Sequence, residues 1–518
     1  MNELLEAATI WQLIARRAEL SPGVTALVDL AGQRLTFAEL AGRTEQVAAG
    51  LLALGIGGGS RVSWQLPTRL DTVVFSMALA RLGAVQNPIL HLYGPREVGA
   101  MLRTTTAEWY AVPGTWRDRD YSAMAKDLVA ELTPQPQLLE LSAGLPTGDP
   151  ARLPPAPESG AEVRWIYCTS GTTSQPKGVR HSDATLIAGG RGLAAALDMS
   201  ADDLGSIAFP FSHIAGPDYL LMMLSAGFGA VLVEAFDPAT AVAAYRELGV
   251  TMCGGSTAFY QMFLNEQRKS PGEKVIPTLR LISGGGAAKP EELFYDIQRE
   301  MGVKLVHGYG MTEIPMIAMG SPHDTDEQLA TTEGKPVLGA EIRIVKVEDE
   351  SVAAPGEEGE VRVRGPVVCL GYTDPDATTD AFDSGGWFRT GDLGVLRPDG
   401  HVRLTGRLKD VIIRKGENIS AREVEEVLFG HPSVGDVAVI GIPDPERGEL
   451  VCAVIEPAGG TDQRLTFEEM VATCKAAGLM TQKIPERLEI VEALPRNQTL
   501  NKVLKYKLRE RFAGSPHG

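Results

Sequence analysis

The sequence predicts an α/β protein built in two parts. A large N-terminal domain of helix-flanked, mostly parallel sheets, ending in a small β-barrel-like subdomain, precedes an α+β C-terminal domain. Two changes of pattern predict it. To about residue 310, helix-period segments alternate with short apolar runs, as in repeated βα units whose parallel sheet is covered on both faces. From about residue 340, short alternating runs joined by tight turns take over, and beyond Gly406 a compact α+β pattern follows. A chain of 518 residues also exceeds one hydrophobic core. The expected divisions are residues 1–405, with the β-rich part at about 335–405, a boundary at 406–410, and 411–518.

The elements follow in order. Thr36-Phe37-Ala38-Glu39 is a capping box that opens a helix running to Gly57-Gly58-Gly59. A strand over Arg61–Leu66 and a helix over Asp71–Leu82 come next. Trp165-Ile166-Tyr167 is a buried strand, and the alternation returns with a strand Ile207–Phe209, a helix around Leu220–Leu224 and a strand Ala230–Val233. A helix near Ala241–Leu248, a strand Thr251–Cys253 and a helix from Thr257 complete this run. Further on, Glu341–Val347, Glu360–Arg364 and His401–Leu404 alternate as antiparallel strands, with Pro398-Asp399-Gly400 as a turn. The last part holds a helix from Glu423, strands Val437–Ile440 and Val451–Ile455, a helix Phe467–Lys475 and a basic tail around Lys502–Arg511.

Composition narrows the function. Hydrophobic residues make up 44% and charged residues 22%, as in ordinary globular proteins. A net charge of −17 argues against broad contact with nucleic acid or anionic membranes, while leaving room for a locally basic nucleotide pocket. Cys168, Cys253, Cys369, Cys452 and Cys474 form no CxxC pair and are odd in number, which fits free thiols in a reducing compartment. The opening Met-Asn-Glu-Leu-Leu-Glu is acidic where a secretory leader is basic. The longest uncharged apolar stretch, Tyr219–Val233, is too short to span a bilayer. A cytoplasmic protein with no integral membrane segment is expected.

The motifs are individually ambiguous. Cys168-Thr169-Ser170-Gly171-Thr172-Thr173-Ser174-Gln175-Pro176-Lys177-Gly178-Val179 offers backbone N–H groups, hydroxyls and an ammonium to a polyphosphate, yet such a run is also the composition of a polar surface loop. It is not the Walker loop, because Pro176 and Gly178 occupy positions where that motif needs Gly and Ser/Thr. His307-Gly308-Tyr309-Gly310-Met311-Thr312-Glu313 combines close backbone approach, a flat ring and a hard oxygen ligand suited to Mg²⁺; a turn before a capped helix is the alternative. Ser283-Gly284-Gly285-Gly286-Ala287 is a side-chain-free wall or a tight connection. Arg389-Thr390-Gly391-Asp392 supplies a carboxylate able to accept two ribose hydroxyls, or a turn former. Gly406–Asp410, Lys415-Gly416-Glu417, Lys502 and His213 carry no signal alone.

Their order and spacing resemble the acyl-adenylate-forming superfamily, the AMP-binding enzymes, in the branch of acyl-CoA synthetases and fatty-acid–CoA ligases. The likeness runs along essentially the whole chain and rests on the 168–179 loop, Tyr309–Glu313, Arg389–Asp392, Gly406–Asp410 and Lys502. It implies a two-step reaction: a carboxylate attacks the α-phosphorus of ATP to give acyl-AMP and pyrophosphate, then the thiol of coenzyme A takes the acyl group and releases AMP. It implies nucleotide contacts at Thr169, Ser170, Gly171, Thr172, Thr173 and Lys177, at Gly284, Gly285, Gly286 and Ala287, and from His307 through Gly308, Tyr309, Gly310 and Met311 to Thr312. Asp392 and Arg407 would hold the ribose, and Glu313 would place Mg²⁺. Lys502, Thr312, Glu313 and His213 are the implied catalytic residues, with Lys505 as the alternative lysine. The C-terminal domain is implied to be mobile about Lys409, bringing Lys415, Gly416 and Glu417 to a CoA channel.

His213, Met222, Met223, Ser256, Phe259 and Gly310 are expected around the acyl group. The resemblance implies an Asp near the position of His213 in amino-acid-activating members, and with no acid here until Asp218 an amino acid substrate is disfavoured. The segments around Leu220–Met223 and Ser256–Tyr260 are apolar and point to a fatty, alicyclic or steroid side-chain acid. The expected partners are therefore this small carboxylic acid, ATP and CoA, with no nucleic acid and with a homodimer left open. A ligase that loads a carrier protein and a nucleotide-binding pseudoenzyme are the alternatives. Ser174 and Lys415 depart from common family glycines, as does Asn501 before the lysine.

Overall fold

The structure is a computed structural model that describes residues 4–169, 176–414, 417–444, 447–459, 464–496 and 503–513. The chain divides into two units, Met1–Glu341 with Val363–Phe388, and Ile342–Arg362 with Arg389–Gly518.

Three larger sheets organise the described part of the first unit. One has the strand order Lys177–Ser182, Val163–Thr169, Val85–Pro88, Arg61–Trp64, Trp109–Val112, Gln137–Glu140. It is parallel except at the edge, where 163–169 and 177–182 form a hairpin with Lys177 opposite Thr169. A second sheet places Leu204–Ile207, Gly229–Leu232, Thr25–Asp29 and Arg34–Thr36 side by side. The third holds parallel strands Met252–Gly255, Leu281–Gly285 and Lys304–Met311, followed by antiparallel Ile314–Met319 and Lys335–Pro336.

Local chemistry sets the helix ends. Thr36 and Glu39 make the reciprocal capping box of helix Phe37–Ala53. Glycines in the left-handed region end the helices Leu70–Leu82, Ala215–Ala226, Pro238–Leu248 and Glu291–Met301. Helix Asp183–Ala196 meets helix Ala215–Ala226 through a stripe of small residues. A Cβ at Gly190 would lie 2.6 Å from the Leu221 Cβ, and one at Gly189 would lie 2.6 Å from Asp218 Oδ1.

Two elements differ from the sequence expectation. The strand expected at Ile207–Phe209 is formed by Leu204–Ile207, because its register is set by Gly229–Leu232 and because Gly205 leaves room for the Tyr219 ring. The helix considered as the alternative after Tyr309–Glu313 does not form. The strand runs through to Met311 and turns back as a hairpin, with Met311 opposite Ile314.

The strands Glu341–Val345, Glu358–Arg364, Phe388–Leu396 and Val402–Arg407 form a four-stranded sheet in chain order, which lies for the most part in the second unit. The rest of that unit is a sheet ordered Glu417–Ser420, Val411–Arg414, Gly448–Pro457, Val434–Asp444, with Arg487–Ile490 also paired to 448–457. Period-two alternation gives it a core on each face. Val439, Val451, Ala453 and Ile455 pack with helices Ala421–Phe429 and Phe467–Ala476, while Ala438, Ile440, Cys452 and Val454 pack with helix Lys505–Phe512. No helix among the described residues is long and apolar enough to cross a membrane.

Asp218 is 2% exposed, its Oδ1 has no hydrogen-bond partner, and burial raises its pKa to about 7. The folded protein therefore holds this proton at pH values where the unfolded chain has released it. The contribution to stability falls as pH rises from about 4 to about 7. His181 acts with the opposite sign: burial lowers its pKa to about 4, so its contribution is lost as pH falls from about 6.5 through 4. Asp218→Asn isolates the first effect. Urea unfolding should show the variant roughly 2 kcal/mol more stable than the wild type at pH 8 and about equal at pH 5. A difference independent of pH would contradict the assignment.

Candidate active site

In the first unit the carboxyl ends of three parallel strands are almost bare of side chains. Gly255 pairs with Gly284, Gly284 with His307, and Gly285 with Gly308. A Cβ at Gly254 would lie 1.7 Å from the Ser283 carbonyl oxygen, and one at Gly285 would lie 2.4 Å from that of Gly308. Backbone meets backbone here only because Gly254 and Gly285 carry no Cβ. Gly286 follows in the left-handed region at φ +89°. The carboxyl ends of parallel strands are where open α/β sheets bind ligands, and a wall of bare peptides suits a planar base. Tyr309 is 6% exposed in the third strand, and the buried His307 contacts the Tyr260 hydroxyl at 3.2 Å. Ala287 accepts a hydrogen bond from the Thr257 hydroxyl through its carbonyl. Gly254 and Gly255 repeat the strand-then-glycine signal of Ser283–Gly286, which is the feature of the sequence that marks them.

The hairpin after Tyr309 supplies polar groups. A Cβ at Gly310 would lie 2.2 Å from the Pro315 carbonyl oxygen, so the chain reverses tightly and presents Thr312 and Glu313 at the turn. The Thr312 carbonyl is 2.8 Å from His181 Nε2. A carbonyl only accepts, so Nε2 carries the proton, and burial keeps this imidazole neutral at pH 7. Cys369 N–H donates to the Glu313 carbonyl at 2.9 Å, and the Tyr372 hydroxyl donates to Glu313 Oε1 at 2.8 Å. Lys177 Nζ lies 5.1 Å from the Tyr372 ring centroid. Thr169 and Lys177 face each other at the base of the hairpin. Ser170, Gly171, Thr172 and Thr173 lie outside the described residues.

The expected acyl-side residues are dispersed in character. His213 precedes helix 215–226 and accepts from Ala215 N–H through Nδ1 at 3.2 Å. Ser256 is buried with its Oγ unpartnered, and Phe259 lies against Gly255. Met222 and Met223 are wholly buried, with the Met222 backbone against Gly190.

In the second unit, Asp392 lies within strand 388–396 directly opposite Arg407, and Arg407 Nε meets Asp392 Oδ1 at 2.9 Å. Gly391, at φ +69°, donates its N–H to Glu360, and Asp392 N–H donates to the Thr390 hydroxyl. The carboxylate is buried while the guanidinium stays half exposed. Lys409 sits in a short helical turn, Leu408–Asp410, whose Asp410 pairs with Arg509 at 3.1 Å. Glu417 begins strand 417–420 opposite Arg414. Lys415, Gly416 and Lys502 lie outside the described residues.

Family models match this chain as AMP-binding enzyme over residues 14–373 and as AMP-binding enzyme C-terminal domain over residues 423–500. The chain belongs to the AMP-binding enzyme family. It is an enzyme of the acyl-CoA ligase type. A medium-chain fatty-acid–CoA ligase of Escherichia coli is 32% identical over 97% of this AMP-binding enzyme and 90% of its own length. A salicyl-AMP ligase / salicyl-S-ArCP synthetase of Mycobacterium tuberculosis is 32% identical over 94% of this chain and 88% of its own. The o-succinylbenzoate CoA synthetase of Bacillus subtilis, solved with its acyl-adenylate intermediate, superposes with a TM-score of 0.83 at 27% identity, covering 99% of this chain and all of that one.

Among the described residues no group of three or more His, Cys, Asp or Glu side chains is placed to hold a metal ion. Glu313 fits Mg²⁺ nonetheless, because that ion is commonly held by one or two carboxylates together with substrate phosphates.

The glycine wall yields a paired prediction. Gly310→Ala forces a Cβ onto the Pro315 carbonyl, and calorimetry should show AMP affinity reduced at least about tenfold with stability lower by roughly 2 kcal/mol. Gly42→Ala, in helix 37–53 with open space around its Cβ, should raise stability by about 0.5–1 kcal/mol and leave AMP binding unchanged.

Proposed function

We propose that this AMP-binding enzyme is an ATP-dependent acyl-CoA synthetase that activates a hydrophobic carboxylic acid as acyl-AMP, then forms the CoA thioester with release of AMP. The observation that carries the reading is the bare-backbone crevice of residues 254–255, 284–286 and 308–310, with Thr312 and Glu313 at its turn. A base fits such a wall edge-on to polar peptides, and Tyr309 adds a ring to enclose it.

The remaining roles follow from charge. Attack of a carboxylate on a polyphosphate brings two anions together, so the site must supply positive charge and donors where negative charge develops. Lys177 and the hydroxyls of the 169–173 loop hold the β- and γ-phosphates. The Thr312 hydroxyl donates to the α-phosphate. Glu313 holds Mg²⁺, which when bound offsets phosphate charge and orients the oxygens. Lys502 bridges the substrate carboxylate and the α-phosphate. Asp392 accepts the ribose hydroxyls, with Arg407 paired beside it. His213 stands at the acyl carboxylate. The reading assigns residues 1–405 to adenylation and 411–518 to a domain that turns about Lys409 between half-reactions, with Lys415, Gly416 and Glu417 lining the thiol's approach.

The apolar segments Leu220–Met223 and Ser256–Tyr260 favour a fatty, alicyclic or steroid side-chain acid, and the fatty-acid–CoA ligase among the relatives supports that choice. A second reading, transfer of the acyl group to a carrier protein, is favoured by the relative named as a salicyl-S-ArCP synthetase. Thioester formation with CoA but not with a phosphopantetheinylated carrier would decide for the first.

Lys502→Ala tests the two-step assignment. Adenylation measured by acid-dependent AMP formation should fall by about three orders of magnitude or more, while conversion of supplied acyl-AMP and CoA to thioester stays within about threefold of wild type. Equal loss of both half-reactions would contradict the separate use of Lys502.

A further inference from the structure

The segment that follows strand 358–364 returns to the phosphate hairpin and pairs with its outer strand. Thr373 N–H donates to the Gly178 carbonyl at 2.7 Å, Arg180 N–H to that of Gly371 at 2.8 Å, and Leu370 N–H to that of Arg180 at 2.8 Å. Tyr372 is thereby registered opposite Val179, two residues from Lys177. Gly371 turns in the left-handed region at φ +87°, and the Tyr372 N–H donates to the Thr378 hydroxyl at 2.8 Å, which fixes where the side chain leaves the backbone.

That side chain reaches two site residues at once. Its hydroxyl donates to Glu313 Oε1 at 2.8 Å, and its ring lies 5.1 Å from the Lys177 ammonium. The same segment holds the Glu313 backbone through Cys369 N–H. Tyr372 is 6% exposed and Glu313 half-buried, while Lys177 remains exposed beside the ring.

Lys177 and Glu313 form no ion pair with each other or with any other described side chain. Opposite charges this near the same residue would gain from direct pairing, and a closed pair would offer neither charge to a nucleotide. A ring attracts the ammonium without cancelling it, and a neutral hydroxyl holds the carboxylate without cancelling it. We propose that Tyr372 is a positioning residue of the phosphate site, its hydroxyl aiming Glu313 at the divalent cation and its ring parking Lys177 for the triphosphate, so that both charges stay apart and available until nucleotide arrives. This rests on the roles given above to Lys177 and Glu313.

Two substitutions separate the two contacts. Tyr372→Phe removes the hydroxyl and keeps the ring; Tyr372→Leu removes both. In the full-length enzyme, Tyr372→Phe should raise the Mg²⁺ concentration for half-maximal pyrophosphate exchange about fivefold to tenfold, with kcat at saturating Mg²⁺ within about twofold of wild type. AMP affinity by calorimetry should not change. Tyr372→Leu should in addition weaken metal-free ATP by about fivefold in the same calorimeter. Thr378→Val, which removes the hydroxyl's bonds to the Tyr372 backbone and to the Asp374 carbonyl without touching the Tyr372 side chain, should move the Mg²⁺ midpoint in the same direction by a smaller factor.

A merely structural tyrosine would lower AMP affinity and kcat together with no Mg²⁺ shift, which would overturn the proposal. Glu313→Gln and Lys177→Ala are the reference variants. If Glu313→Gln moves the Mg²⁺ midpoint and Tyr372→Phe does not, the proposal falls and the reading of Glu313 stands. If neither reference variant changes Mg²⁺ dependence or ATP affinity, the reading of those residues falls and takes the proposal with it.

Discussion

The crevice of the first unit depends on backbone meeting backbone where three parallel strands end. Strands 252–255, 281–285 and 304–311 are ordinary ladders at their beginnings and turn to glycine toward their carboxyl ends, continuously in the first two and alternating with His307, Tyr309 and Met311 in the third. The missing Cβ atoms do two things. They let adjacent peptides close to distances no other residue permits, and they leave polar main-chain groups facing outward instead of apolar side chains. The tight approach of Gly310 to Pro315 then fixes the hairpin that carries Thr312 and Glu313. Displacing that turn would break the contact of Thr312 with His181 and those of Glu313 with Cys369 and Tyr372.

Charge is handled differently in the two units. In the first, His181 is buried neutral and serves as a fixed donor, while Lys177 and Glu313 are held by an aromatic ring and a phenol rather than by opposite charges. In the second, the buried Asp392 carboxylate is paired directly with Arg407, in register across two strands. A paired carboxylate still has lone pairs for hydroxyl donors, so pairing suits a group that is to accept hydrogen bonds. It would not suit a group that must give its full charge to a cation.

Much of this was legible in the sequence for physical reasons. The Thr36–Glu39 box, the α/β alternation and the strands Val437–Ile440 and Val451–Ile455 are local or periodic features, and local features survive into the fold. The Ser283–Gly286 and His307–Glu313 runs were visible as glycine clusters after strands, and their order and spacing along the chain, not the clusters alone, singled them out. Tyr372 was not visible, since it ends the apolar run from Val367 and meets Glu313 across 59 residues of sequence. The sequence places strand 204–207 too late because Gly205 and Ser206 look less strand-like than Ala208 and Phe209. The deciding fact, Tyr219 lying over Gly205, is a tertiary contact.

Carboxylate-dependent exchange of labelled pyrophosphate into ATP, measured without coenzyme A over a panel of fatty, alicyclic and steroid side-chain acids, tests the central claim most directly. Exchange that requires one of these acids, and that proceeds with no thiol present, is the predicted result, because acyl-AMP must form reversibly before any thioester. No exchange with any acid in the panel, or exchange only after coenzyme A is added, would contradict it.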